Sequence, residues 1–336
     1  MNKLTISISP HIKDKTSVKS IMWGVVVAIS PAVVWGVLFF QAHALYLVLT
    51  CIVTAVLSEA ICQKILNRPI TITDGSAFLT GLLLALVLPP TFPLWAGSLG
   101  AVVSIVIGKH IFGGLGYNIF NPALLGRAFL SVSFPVLTTA WQVPVLNTAK
   151  LFSEGKFYSF FSGDTITTAT PLALALSKFA VANPDIPSYM GLFIGTKGGC
   201  IGEVSALALL IGAVYLIIKK YIDWRIPFGY IGVVFTVSSL LWFSNNANPT
   251  PLFHVLSGGL LIGAFFMASD PVTSPITKKG RWIFGIGAGI LTISIRTWGG
   301  YPEGVMYSIL MMNAFTPLIE RFTAPLQFGA KRMMKK

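Results

Sequence analysis

The sequence predicts an all-α polytopic membrane protein of about ten transmembrane helices. Three observations carry that prediction. Only 10% of the 336 residues are charged and 54% are hydrophobic, whereas a soluble domain carries about 25% charged residues. The mean hydropathy is +0.77. The apolar residues also fall into segments that reach, or nearly reach, the roughly 20 residues needed to cross a hydrocarbon core.

Taken in order, spans are expected near Ile21–Phe40, Ala44–Ile65, Ser76–Leu88, Pro93–Ile107 and Ala123–Val136. A long polar interruption follows, roughly from Thr139 to Gly199. Five more spans are expected near Ile201–Ile218, Ile226–Phe243, Leu252–Met267, Trp282–Ile295 and Gly304–Ile319. The chain then divides into a first five-helix unit (1–138), a loop (139–199) and a second five-helix unit (200–336). Some twenty mostly polar residues precede the first span, and no small-x-small site follows it, so no cleaved signal is expected.

The basic residues test the alternation. With the N-terminus inside, Lys150, Lys156, Lys178 and Lys197 alone fall on the outside, and Arg127 and Arg296 lie within spans. All other Lys and Arg fall inside. That bias predicts cytoplasmic termini and an extracytoplasmic 139–199 loop. It also explains the net charge of +13 without nucleic acid. Two units of five helices, if they are repeats, must be inverted. Asn121-Pro-Ala-Leu-Leu-Gly-Arg127 and Asn313-Ala-Phe-Thr-Pro-Leu-Ile-Glu-Arg321 are candidate equivalents, as are Asp74-Gly75 and Asp270-Pro271.

Several motifs have a physical reading. Gly108-Lys-His-Ile-Phe-Gly-Gly-Leu-Gly-Tyr-Asn-Ile-Phe-Asn-Pro122 lacks the Gly-Lys-Ser/Thr of a Walker loop. Its glycines permit either a tight turn or a re-entrant backbone, with Asn118 and Asn121 able to serve polar groups. Gly285-Ile-Gly-Ala-Gly289 reads as close helix packing. Glu59, Arg127, Glu203 and Arg296 are ionisable residues within or at the rims of spans. They need partners, and two readings stay open: pairing among themselves, or lining a flavin or ion path. Cys51, Cys62 and Cys200 form no CxxC or Cys/His cluster, which predicts no zinc or iron–sulfur site; Cys51 and Cys62 read as small buried hydrophobes. His11, His43, His110 and His254 show no metal spacing, and Trp298 and Tyr301 read as interfacial anchors.

The loop holds the most specific stretch, Asp164-Thr-Ile-Thr-Thr-Ala-Thr-Pro-Leu172. Thr170 can N-cap a helix opened by Pro171. A hydroxyl there faces free N–H groups and the positive end of a helix dipole, which suits a phosphate; the plain alternative is a capped surface helix.

Asp164-x-x-Thr167-x-Ala169-Thr170 resembles the flavinylation signature of the Rnf/Nqr family of redox-driven ion-pump membrane subunits. In that signature, Asp-Gly-x-Ser/Thr-Gly/Ser-Ala-Thr, a flavin transferase uses FAD to esterify FMN onto the last Thr. This chain has Thr165 for the Gly and Thr168 for the usual small residue. Asp74–Pro90, Gly108–Phe129, Gly202-Glu-Val-Ser205, Met267–Pro275, Arg296–Gly304 and Asn313–Glu320 also look like this family. The short segment before the first span favours the Rnf branch. The resemblance implies two inverted five-helix repeats in a urea-transporter-like fold, within a bacterial or archaeal cytoplasmic membrane. It implies covalent FMN at Thr170, with Asp164, Thr167 and Ala169 as recognition determinants, and a noncovalent riboflavin. It implies iron–sulfur and other membrane subunits as partners, in a complex coupling ferredoxin:NAD electron transfer to Na⁺ or H⁺ movement. Arg127, Arg296, Asn118 and Asn121 are candidate flavin neighbours. The chain alone holds no complete active site. The alternatives are a flavin-free small-solute transporter of the same fold and a purely structural anchor.

Overall fold

The computed structural model describes residues 17–144, 165–168, 172, 188–195, 197–244, 249–299 and 303–325. It is mostly helical. Helix α1 (Val18–Ile65) opens on the Ser17 cap, whose hydroxyl accepts from the Ser20 N–H. It covers the first two expected spans and breaks at Gln41, where φ is 65° and ψ is −154°. The break folds it into a hairpin. Trp23 donates to the Thr73 carbonyl at 3.4 Å and Gln63 to the Thr71 hydroxyl at 2.9 Å, so both ends meet one turn. A straight helix would hold those two residues about 60 Å apart.

The first unit continues with α2 (Ser76–Leu86), α3 (Leu94–Ile105), a π-helical turn (Val106–His110), α4 (Pro122–Ser133) and the short α5 (Pro135–Thr138). Asn121 starts α4 because its side chain accepts from the Ala123 and Leu124 N–H groups and Pro122 needs no N–H partner. Then come strand β1 (Trp141–Pro144), strand β2 (Thr165–Thr168) and α6 (Tyr189–Ile194). The second unit holds α7 (Ala206–Ile218), α8 (Arg225–Ser244), α9 (Pro251–Leu256), α10 (Leu260–Ile262), a second π-helical turn (Gly263–Met267), α11 (Lys278–Trp298) and α12 (Val305–Thr323). A helix therefore lies in each expected span. Among the described residues, two are long and apolar enough to cross a membrane by length and composition, Val18–Ile65 and Arg225–Ser244. Ser76–Leu86, Leu94–His110 and Ala206–Ile218 are shorter apolar helices.

The all-α expectation misses one feature. β1 and β2 form an antiparallel ribbon with Trp141 opposite Thr168 and Gln142 opposite Thr167. The β-branched run Thr165-Ile-Thr-Thr168 favours an extended, pleated backbone.

The glycine run in α11 packs as expected. A Cβ on Gly285 would stand 2.6 Å from the Ile226 carbonyl oxygen, and one on Gly289 2.9 Å from the Tyr230 oxygen. α8 and α11 thus touch backbone to backbone. Gly285→Val is expected to cost about 1–3 kcal/mol by overpacking this seam, read as a lower thermal midpoint of the detergent-solubilised protein.

The turns rich in Lys and Arg gather at one end. Ser20 meets Tyr221 at 3.3 Å, and Arg68 donates to the Gly113 carbonyl. Asp223, between α7 and α8, accepts from Arg225 at 2.8 Å and Arg281 at 2.5 Å. Burial alone would raise the Asp223 carboxyl, but the Arg225 N–H and the two guanidinium groups outweigh it and hold it below its ordinary value. A depressed folded value means stability present above the unfolded value near 3.9 and lost as pH falls through the folded one. Asp223→Asn is therefore expected to cost about 1 kcal/mol at neutral pH. The gap in thermal midpoint from the wild type should close below about pH 4. A gap unchanged at acid pH would refute the assignment.

Two candidate cofactor cavities

A cavity opens at the basic end where the two units meet. It encloses about 720 Å³ counting its mouth. Apolar walls come from Val25, Leu79, Leu83 and Phe266, and its polar lining includes Lys109, Asn118, Asn121, Ser269 and Asp270. Lys109 lies in the last turn of the first π-helical segment. Its ammonium reaches both Glu59 oxygens, at 2.7 and 2.8 Å, and the Ser76 hydroxyl at 2.6 Å. Gln63 donates to the same carboxylate at 3.0 Å. Asn118 donates to the Phe120 carbonyl, and its buried side-chain oxygen has no protein partner among the described residues. Asn121 reaches across to the Met267 carbonyl at 3.3 Å. The Gly108–Pro122 stretch is a π-helical turn followed by irregular backbone, with φ of 126°, 104° and 95° at Gly113, Gly114 and Gly116.

A second cavity of about 570 Å³ lies at the far end. There Thr91 bonds the Ala140 carbonyl at 3.3 Å, and His43, just past the α1 bend, bonds the Pro90 carbonyl at 2.7 Å. Arg127, Ser131, Pro135, Trp141, Glu303 and Met306 are among its lining residues. Arg127 forms an ion pair with Glu303.

Beside this cavity two irregular segments replace helix. At the end of α2, the carbonyls of Leu86 and Leu88 accept from the N–H groups of Gly202 and Ile201, and that of Val87 from the Cys200 thiol. At the end of α9, Arg296 donates to the His254 and Ser257 carbonyls at 2.6 and 3.4 Å, and Lys197 to that of Leu256 at 2.6 Å. Each broken helix end is thereby satisfied, as a membrane interior requires.

The sequence-derived candidates separate. Asn118 and Asn121 line the basic-end cavity, and Arg127 lines the far-end one. Arg296 caps helix carbonyls beside the latter. Thr167 lies in β2. Thr170, Asp164, Ala169, His11 and Tyr301 lie outside the described residues. Pairing among Glu59, Arg127, Glu203 and Arg296 is not what forms. Glu59 pairs with Lys109, and Arg127 with Glu303. Lys109 and Lys197, loop residues by sequence, are both buried. Cys62 is half-buried, whereas Cys51 is buried as expected. Trp298 is exposed, in keeping with an interfacial anchor. Cys200 sits beside Glu203 and Glu303, a grouping that no sequence spacing signals.

Comparison with known proteins gives the family. A relative in Clostridium ljungdahlii, the D subunit of a proton-translocating ferredoxin:NAD(+) oxidoreductase complex, is 49% identical over 98% of both chains. One in Acetobacterium woodii, the D subunit of a Na(+)-translocating ferredoxin:NAD(+) oxidoreductase complex, is 46% identical over 99% of this chain and 98% of its own. The D subunit of the ion-translocating oxidoreductase complex of Stutzerimonas stutzeri is 41% identical over 94% and 93%. With residues 5–329 matching its family description, the chain belongs to the NQR2, RnfD, RnfE family.

Proposed function

We propose that this chain is the flavin-carrying membrane subunit of an Rnf-type ferredoxin:NAD oxidoreductase complex that moves Na⁺ or H⁺. In this reading FMN is esterified to Thr170 and occupies the far-end cavity. The observation that carries it is the β1–β2 ribbon. Thr168 pairs with Trp141, and Trp141 is a wall of that cavity. Thr170 follows two residues later, a reach of about 7 Å at most.

The residues present suit the group. Trp141, Pro135 and Met306 offer apolar surface for a ring system, and Arg127, whose Nη2 is held by Glu303, has further N–H donors for a ring carbonyl or a phosphate oxygen. Bound FMN supplies one-electron and two-electron transfer. The chain's own part is to tether, orient and shield it. The basic-end cavity suits a second, noncovalent flavin without a phosphate, such as riboflavin. Its one ammonium is already neutralised by Glu59, and Asp270 repels anions. The unpartnered Asn118 oxygen is an acceptor for a ring N–H.

The same reading takes the two units as inverted five-helix repeats. α3 packs on α1 and α4 in the first unit, and α11 packs on α8 and α12 in the second. The basic end is the cytoplasmic one, with both termini, and the Thr170 loop is extracytoplasmic. Partners are the iron–sulfur and other membrane subunits and a flavin transferase. Peptide mass mapping of the chain from cells with the transferase tests the reading. An FMN adduct on the Thr170 peptide is expected. Its absence would favour a flavin-free small-solute transporter of the same fold.

A further inference from the structure

We propose that Lys197, Arg296 and the Ser257 hydroxyl form a buried site for a phosphodiester, the group that would join FMN to Thr170. The inference rests on the reading that Thr170 carries FMN, and it names the side chains that hold the phosphate of that link.

Charge calls for an anion here. Lys197 is 2% exposed and Arg296 3%, and cations are seldom buried so deeply without an anionic partner. Neither makes an ion pair among the described residues. Lys197 uses one N–H on the Leu256 carbonyl at 2.6 Å, and an ammonium has two more. Arg296 donates to the carbonyls of His254, Ser257 and Glu303 and keeps further N–H groups. The carboxylates that bear on the two are those of Glu203 and Glu303. Glu303 is already taken by Arg127. Lys197 and Arg296 therefore face the single carboxylate of Glu203, and one positive charge is left over. A phosphodiester carries one negative charge, so it balances the cluster.

Bare donors point the same way. Ser257 is fully buried, and its Oγ has no partner among the described residues. A hydroxyl left so is costly unless a ligand meets it. His254, three positions earlier, has a buried and unpartnered Nδ1, a further donor in the tautomer protonated there. Capping the end of α9 accounts for the carbonyl bonds, but for neither the surplus charge nor the bare hydroxyl. Position supplies the phosphate. Leu172 is buried against Leu192, Phe253 and Leu256. A Cβ on Gly258 would stand 3.0 Å from Arg296 Nη2 and 3.5 Å from Leu172 Cδ2, so the guanidinium and Leu172 flank one glycine. On the other side Thr168 pairs with Trp141. Residue 170 is two positions from each, a reach of about 7 Å at most either way. Arg296 also bonds the Glu303 carbonyl at 3.1 Å, and Glu303 is a wall of the far-end cavity. The phosphate site thus adjoins the cavity proposed for the ring, which leaves Arg127 to the ring itself.

The test is thermal unfolding of the detergent-solubilised full chain, made with and without the flavin transferase. Peptide mass mapping first establishes the Thr170 adduct in each loaded sample. In the wild type the adduct should raise the midpoint by about 4 °C or more, since it gives charge-assisted hydrogen bonds to buried donors. Ser257→Ala should lose most of that rise. Its unloaded midpoint should be unchanged or higher, because a bare buried hydroxyl has gone. Lys197→Met should lose most of the rise as well. A lysine that only caps a carbonyl predicts a different pattern, in which both forms of Lys197→Met fall together and the rise survives. A rise undiminished in either variant, or a wild-type midpoint that the adduct does not move, overturns the proposal. Should Lys197→Met fail to fold, Ser257→Ala decides alone. A wild type without the adduct defeats the Thr170 reading instead.

Discussion

Lys109→Met is expected to destabilise the protein by about 3–5 kcal/mol. Lys109 is 2% exposed, and its ammonium is the only cation bonded to Glu59 among the described residues. Without it, the carboxylate keeps only the Gln63 amide in a buried setting. The cost is that of an uncompensated buried charge rather than of a lost contact. The double variant Lys109→Met with Glu59→Leu distinguishes the two. Removing both charges of a buried pair is often near neutral, so the double variant should recover most of the loss. Thermal unfolding of the detergent-solubilised protein, followed as the monodisperse fraction, reads both. Equal losses in the single and double variants would show that packing, not charge, holds this region. The pair joins the α1 hairpin to the π-helical turn and sets one wall of the basic-end cavity. The same single variant is therefore expected to weaken retention of the noncovalent flavin proposed for that cavity.

The spans are legible in the sequence because hydropathy and charge deficit are properties of whole segments. The Gln41 bend lies in the gap between the first two expected spans, so hydropathy separates the two arms of the hairpin where the backbone does. Side-chain partners are another matter. Glu303 lies 176 positions from Arg127, in a Tyr-Pro-Glu-Gly turn that reads locally as solvent-facing. Lys109 and Lys197 read as loop residues because a Lys in a polar turn normally snorkels to water. Counting charges by side cannot reveal that a turn folds back between helices. Asn121 is legible as a helix start by Asn-Pro alone, but its bond to Met267 is not, since that requires the two units to meet. The ribbon escapes for a different reason. The β-branched residues at 165–168 stand inside a stretch that resembles a flavinylation signature, and reading that stretch for its side-chain chemistry passes over its backbone preference. Yet it is the ribbon that ties the motif to a cavity wall.

Arg296→Met carries the second large effect. The guanidinium satisfies the carbonyls of His254 and Ser257, where α9 ends inside the apolar part of the protein, and that of Glu303 at 3.1 Å. Methionine leaves those buried acceptors bare, for an expected loss of about 3 kcal/mol or more. Arg296→Lys keeps a charge but lacks the planar fork, so it should recover only part of this. Thermal unfolding of the detergent-solubilised protein reads both variants. Equal losses in Arg296→Lys and Arg296→Met would show that the planar fork, which reaches several carbonyls at once, holds these segments rather than the charge. A loss under about 1 kcal/mol in Arg296→Met would show that the carbonyls find other partners.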